Sequence, residues 1–72
     1  MTKEEFLAEM QDVLQTEDTL TADTELADLA EWDSLAMMAT MAFFDKKFGV
    51  KVGIRDFKAM NTMSDLMAKA GV

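Results

Sequence analysis

Seventy-two residues, half of them apolar and 29% charged, with a net charge of −7 at neutral pH, describe one small globular domain spanning 1–72. The absence of cysteine excludes disulfides, thiolate catalysis and cysteine metal sites; the absence of histidine removes the usual general base and the commonest metal ligand. An enzyme made from this chain would have to work with Ser, Thr, Lys and carboxylates alone, so neither catalysis nor a metal site is expected.

A domain this short buries only about 60% of the surface its unfolded chain exposes, so every apolar side chain matters. The charge is unevenly spread. Residues 1–36 hold eleven acidic groups and one lysine, a net of −10, whereas residues 37–72 hold three acidic and six basic groups, a net of +3. Such a chain repels nucleic acid and is drawn to basic protein surfaces, its first half leading. Asp18, Asp23 and Asp28 are spaced by five and lack an intervening glycine, which misses the alternating ligand pattern of a calcium loop. Met1 is followed by Thr2, Lys3, Glu4 and Glu5, unlike a secretory leader. The longest apolar stretch, Leu35 to Phe44 with Thr40 inside it, is half of the ~20 residues a membrane span requires. A cytoplasmic monomer is the expectation.

The first helix is predicted from about Lys3 to Gln15. Thr2 and Glu5 fit a capping box, and Phe6, Leu7, Met10, Val13 and Leu14 recur at helical spacing. Residues 16–33 form a loop rich in Thr, Asp and Ala, punctuated by Leu20, Leu26, Leu29 and Trp32, which should pack down on the helices. The second helix runs from Ser34 to about Phe48 and stops at Gly49, with Lys46 and Lys47 suiting its negative end. A short helical turn follows around Ile54 to Met60. The last helix starts at Asn61 or Thr62, turns Met63, Leu66, Met67 and Ala70 inward, and ends at Gly71.

The second helix has two apolar stripes. At about 100° per residue, Met37, Met41, Phe44 and Phe48 share a narrow arc that belongs in the core. Leu35, Met38 and Ala42 form a second stripe on another side. Either that stripe is buried by the loop and neighbouring helices, or it is an exposed strip for a partner. The eight methionines suit irregular core gaps, or a core that admits a guest.

Asp33-Ser34-Leu35 stands where loop becomes helix. A serine there ordinarily serves as the N-cap. Its surroundings read, in order, as acidic loop, Asp-Ser-Leu, apolar helix, basic helix end and glycine. With the stretches Leu26-Ala27-Asp28-Leu29, Glu31-Trp32-Asp33-Ser34-Leu35, Phe48-Gly49-Val50-Lys51-Val52 and Asn61-Thr62-Met63-Ser64-Asp65-Leu66, the chain resembles the acyl carrier protein family over essentially its full length. The resemblance implies an all-α four-helix bundle with a long first loop and a short third helix. It implies that Ser34 is the attachment point of a 4'-phosphopantetheine arm, flanked by Asp33 and installed from coenzyme A and Mg²⁺ by a separate phosphopantetheinyl transferase. The arm would hold an acyl intermediate as a thioester for partner enzymes of fatty acid, lipid or polyketide-type synthesis. Acyl-loading and acyl-processing enzymes would dock basic surfaces against Asp28, Glu31 and their acidic neighbours, with Leu35, Met38 and Ala42 as the apolar part of the contact. The acyl chain would slip between helices lined by Met41, Phe44, Ile54, Phe57, Met60 and Met63, a space that Phe43 and Phe44 would shorten.

The chain also departs from that family's pattern. Carriers of fatty acid synthesis usually have a glycine where this chain has Glu31, with Trp32 beside it, and several acids along the second helix where this chain has Ala36, Ala39, Lys46 and Lys47. Asp45 is the main carboxylate retained. A specialised carrier with a dedicated partner is therefore expected. Two rivals stand beside it: an aminoacyl, D-alanyl or peptidyl carrier using the same arm, and an acidic helical adaptor without a prosthetic group, in which Ser34 is only a cap.

Overall fold

Local capping sets the first helix, α1, over Lys3–Leu14 in the computed structural model, which describes residues 1–72. The Glu5 amide donates to Thr2 Oγ1 at 3.1 Å, and the Thr2 amide donates to Glu5 Oε1 at 3.0 Å, the reciprocal pair expected. Phe6, Met10 and Leu14 are buried, one helical turn apart, while Leu7 and Val13 are half-buried. The helix ends at Gln15, whose φ of 54° is the left-handed conformation usually left to glycine. The side chain of Gln11 donates to the Asp18 carbonyl at 3.2 Å and ties the departing loop to the helix.

Three further helices follow: α2 over Ser34–Phe48, α3 over Ile54–Lys58 and α4 over Met63–Ala70. The protein is thus all-α, a four-helix bundle with a long first loop and a short third helix. No helix is long and apolar enough to cross a membrane. Gly49 closes α2 with φ of 66°, its amide donating to the Asp45 carbonyl at 3.1 Å. The turn expected around Ile54 to Met60 is shorter, because the Met60 amide already closes back on Phe57 rather than continuing the helix.

The loop between α1 and α2 packs down as its leucines predict: Leu20, Leu26 and Leu29 are buried and Trp32 is half-buried. What fixes it is main-chain bonding to the start of α4. Glu25 and Thr62 form an isolated antiparallel bridge, with the Leu26 amide donating to the Asn61 carbonyl at 2.8 Å. The Met63 and Ser64 amides donate to the carbonyls of Thr24 and Ala22, at 3.0 and 2.9 Å. These two amides are among the donors that a helix start leaves without partners, so the loop itself caps α4. Residues Leu26–Asp28 add a single 3₁₀ turn that hydropathy did not signal.

Asp65 completes this junction. Its Oδ2 accepts from the amides of Asn61 and Thr62, at 2.8 and 3.1 Å, and these backbone bonds hold its carboxyl below the usual carboxylate range. The Thr2 backbone bond lowers Glu5 in the same direction. A carboxyl that is more acidic folded than unfolded adds stability above its unfolded pKa and loses it as the pH falls through the folded one. Asp65→Ala should therefore melt lower than wild type near neutral pH, and the gap should close as the pH drops through the carboxylate range. Parallel thermal melts down the acid limb test this; a gap independent of pH would contradict it.

The core face of α2 is Met37, Thr40, Phe43 and Phe44, with Met41 and Phe48 half-buried. This arc is broader than the expected stripe, because α1 packs on the Phe43 side: the Phe6 ring lies 6.0, 6.1 and 6.1 Å from the rings of Phe43, Phe44 and Phe48. Thr40 is fully buried, yet its hydroxyl donates to the Ala36 carbonyl at 2.8 Å, so no polar group is left unpaired there.

Candidate functional site

Ser34 is exposed at the first residue of α2. The cap that a serine at this junction would ordinarily supply belongs to Asp33 instead, whose Oδ1 accepts from the Ala36 amide at 2.8 Å. Asp33 adopts the extended backbone of a cap, and its carbonyl accepts from the Met37 amide at 2.9 Å. The Ser34 hydroxyl takes part in none of the side-chain hydrogen bonds and is left free at the surface. The amides of Ser34 and Leu35 have no intramolecular acceptor either.

That set fits a phosphodiester on Ser34 Oγ. Two free N–H groups and the positive end of a 15-residue helix favour negative charge at the point where the phosphate would sit. The chain has no histidine to act as a base, and the hydroxyl is hydrogen-bonded to no carboxylate. No group of three or more acidic side chains is gathered to hold a metal ion.

Around the serine, the stripe left open by the sequence is exposed rather than covered. Leu35 is 73% and Met38 48% exposed, and Ala39 and Ala42 are exposed with them. Asp23, Glu25, Asp28 and Asp33 are exposed carboxylates ahead of Ser34. Glu31 differs. It is half-buried, with its Oε1 buried and unpaired, and it lines an open groove with Leu14, Asp33, Leu35 and Ala36 between the end of α1 and the start of α2. An unpaired buried acceptor is costly and is usually met by water or a ligand group. Beyond the strip, Lys46 and Lys47 are exposed at the far end of α2.

The six residues expected to line an acyl space do not surround one cavity. Phe44, Phe57 and Met63 are fully buried, and the first two rings meet at 5.6 Å, nearly perpendicular. Ile54 is half-buried against the same core. Met41 lines a surface groove with Met38, Ala42 and Val52, and Met60 lines a separate one with Trp32 and Met37. Asp33 as the cap was the feature hardest to see, since Asp and Ser are equally good caps and only the register of the helix start separates them.

The bundle thus presents an unbonded serine at a helix start, flanked by an apolar strip and by exposed carboxylates. The chain belongs to the family described as phosphopantetheine attachment site, whose model matches residues 4–69. Members of this family attach 4'-phosphopantetheine covalently, so a phosphopantetheinyl transferase and enzymes that work on the carried group are implied as partners. No curated protein and no solved structure matches the chain.

Proposed function

We propose that the chain, as one carrier domain, bears its arm on Ser34 and holds an acyl group as a thioester for partner enzymes of lipid, fatty acid or polyketide-type synthesis. The observation that carries this reading is the exposed, unbonded hydroxyl of Ser34 beside two free amides at the start of α2. Loading is a phosphoryl transfer: Ser34 Oγ attacks the β-phosphorus of coenzyme A, the phosphoanhydride bond breaks, adenosine 3',5'-bisphosphate leaves, and the serine proton passes to a base of the transferase. The thiol at the end of the arm supplies the nucleophile that the sequence lacks. A cytoplasmic location, where coenzyme A is available to the transferase, belongs to this reading.

The partner's shape follows from the charges along α2. Its docking surface is basic opposite Asp28 and Asp33, apolar opposite Leu35, Met38 and Ala42, and not basic opposite Lys46 and Lys47, since like charges disfavour the wrong complex. Glu31 contributes through the groove beside Leu35 more than as a solvated charge. A dedicated enzyme fits that surface better than one adapted to a helix acidic along its whole length.

Incubation with coenzyme A, Mg²⁺ and a broad-specificity transferase should add one phosphopantetheine per chain by intact mass. Proteolytic mapping should place the addition between Leu29 and Lys46. An unchanged mass, with a known carrier loading in parallel, would overturn the reading.

A further inference from the structure

Five phenylalanines and a tryptophan run through the bundle as one connected set of rings. Phe6 of α1 meets Phe43, Phe44 and Phe48 of α2; Phe44 meets Phe57 of α3 at 5.6 Å; and Phe57 meets Trp32 of the loop at 5.9 Å. Phe6, Phe44 and Phe57 have no exposed surface, and neither do Met10 and Met63. The concavities of the molecule are open surface grooves, and none is lined by Phe6, Phe44, Phe57, Met10 or Met63. A flexible methionine can yield to a guest by changing rotamer, but a rigid ring held edge-on by its neighbours cannot move without displacing them.

Outside the core, Ser34 heads a file of residues down one side of α2. Met38, Met41 and Asp45 follow it at four, seven and eleven positions, the spacing that keeps side chains on one helix face. At about 1.5 Å per residue, Met41 lies about 10 Å along the axis from Ser34. There the file borders an open groove of about 370 Å³, lined by Met38, Met41, Ala42 and Val52 together with Lys51 and Asp45, an exposed pair at 3.4 Å.

We propose that this carrier keeps its cargo outside the bundle, against the Met38–Met41–Ala42–Val52 groove, and that it serves short acyl groups. The proposal rests on Ser34 bearing the arm. The groove offers apolar contact over only a few side chains before it meets the Lys51–Asp45 pair. A long hydrocarbon chain would overrun it into water or against charge, while the ring-filled core offers that chain no alternative. A short group loses nothing by remaining at the surface, where a partner enzyme reaches it without first drawing it out.

The test uses wild-type protein carrying methyl-labelled methionine, loaded by a broad-specificity transferase from acetyl-, butyryl-, octanoyl- and dodecanoyl-coenzyme A. Single substitutions such as Met41→Leu and Met63→Leu assign the methyl signals. The expected result is a shift of the Met38 and Met41 methyls on loading, with Met10 and Met63 unmoved for every chain length, and a melting temperature that does not climb from acetyl to dodecanoyl. Chain-length-dependent movement of Met10 or Met63, or a melting temperature rising with each longer chain, would place the chain in the core and overturn the proposal. Static Met38 and Met41 signals on a fully loaded sample would overturn the groove as the resting place. Intact mass, read first, keeps these outcomes apart from a failure of Ser34 to take the arm at all.

Discussion

Ser34→Ala is expected to abolish phosphopantetheine attachment completely while leaving the fold intact. The hydroxyl makes no hydrogen bond within the protein, the side chain is exposed, and alanine is compatible with a helix. An exposed substitution of this kind stays within about 0.5 kcal/mol, or roughly 2–4 °C in Tm for a domain of this size. The neighbouring substitution should behave in the opposite way. Asp33→Ala removes the acceptor for the Ala36 amide and should cost about 1 kcal/mol, lowering Tm by about 4–8 °C, while attachment persists at a reduced rate. Asp33→Ser restores a cap without the charge. Recovery of Tm without recovery of the loading rate would show that the carboxylate also faces the transferase. Intact mass and thermal melts on the three variants decide the matter. Attachment surviving in Ser34→Ala would remove Ser34 from its role, and an unchanged Tm in Asp33→Ala would remove Asp33 from its own.

This division of labour explains what could and could not be read from the chain. Helix ends were legible wherever a side chain makes them: Thr2 with Glu5 opens α1, and Gly49 closes α2, each by a mechanism carried in residue identity. The inward positions of α1 and α4 were legible because each helix has a single apolar side. On α2 the pattern failed to specify the arc. With apolar residues on two sides, the buried face is chosen by where α1 packs, which brings in Phe43 and Thr40 beside the expected Met37 and Phe44. The loop's leucines announced that it packs, but not that its carbonyls cap α4, because main-chain hydrogen bonding leaves no trace in side-chain identity. At the site, sequence order placed Ser34 at a helix start. Only the one-residue register between Asp33 and Ser34, invisible to propensity, decides that Asp33 caps and Ser34 is free. Glu31 illustrates the same limit: its charge was plain, while the burial of one carboxylate oxygen depends on how α1 and α2 converge.

The largest loss of stability is expected from Phe44→Ala. Phe44 is fully buried and touches the rings of Phe6, Phe43, Phe48 and Phe57 at 5.6–6.1 Å, so it joins three of the four helices. Truncating such a ring typically costs about 3–5 kcal/mol, because the transfer energy of the lost carbons is joined by the cavity they leave. At about 0.05–0.15 kcal/mol per residue, the whole domain holds only about 4–11 kcal/mol. The substitution should therefore remove a large part of the total and, toward the lower end of that range, leave much of the chain unfolded at room temperature. Phe48→Ala offers the internal comparison. Phe48 meets the rings of Phe6, Phe43 and Phe44 but is only half-buried, so its neighbours and water can fill part of the space, and a clearly smaller loss is expected. Urea titrations of the two variants and wild type measure the difference as shifts in midpoint at constant slope. Equal losses at the two positions would mean that the ring cluster yields and repacks. A core that soft could open for a hydrocarbon guest, so the same titration also bears on where the cargo lies.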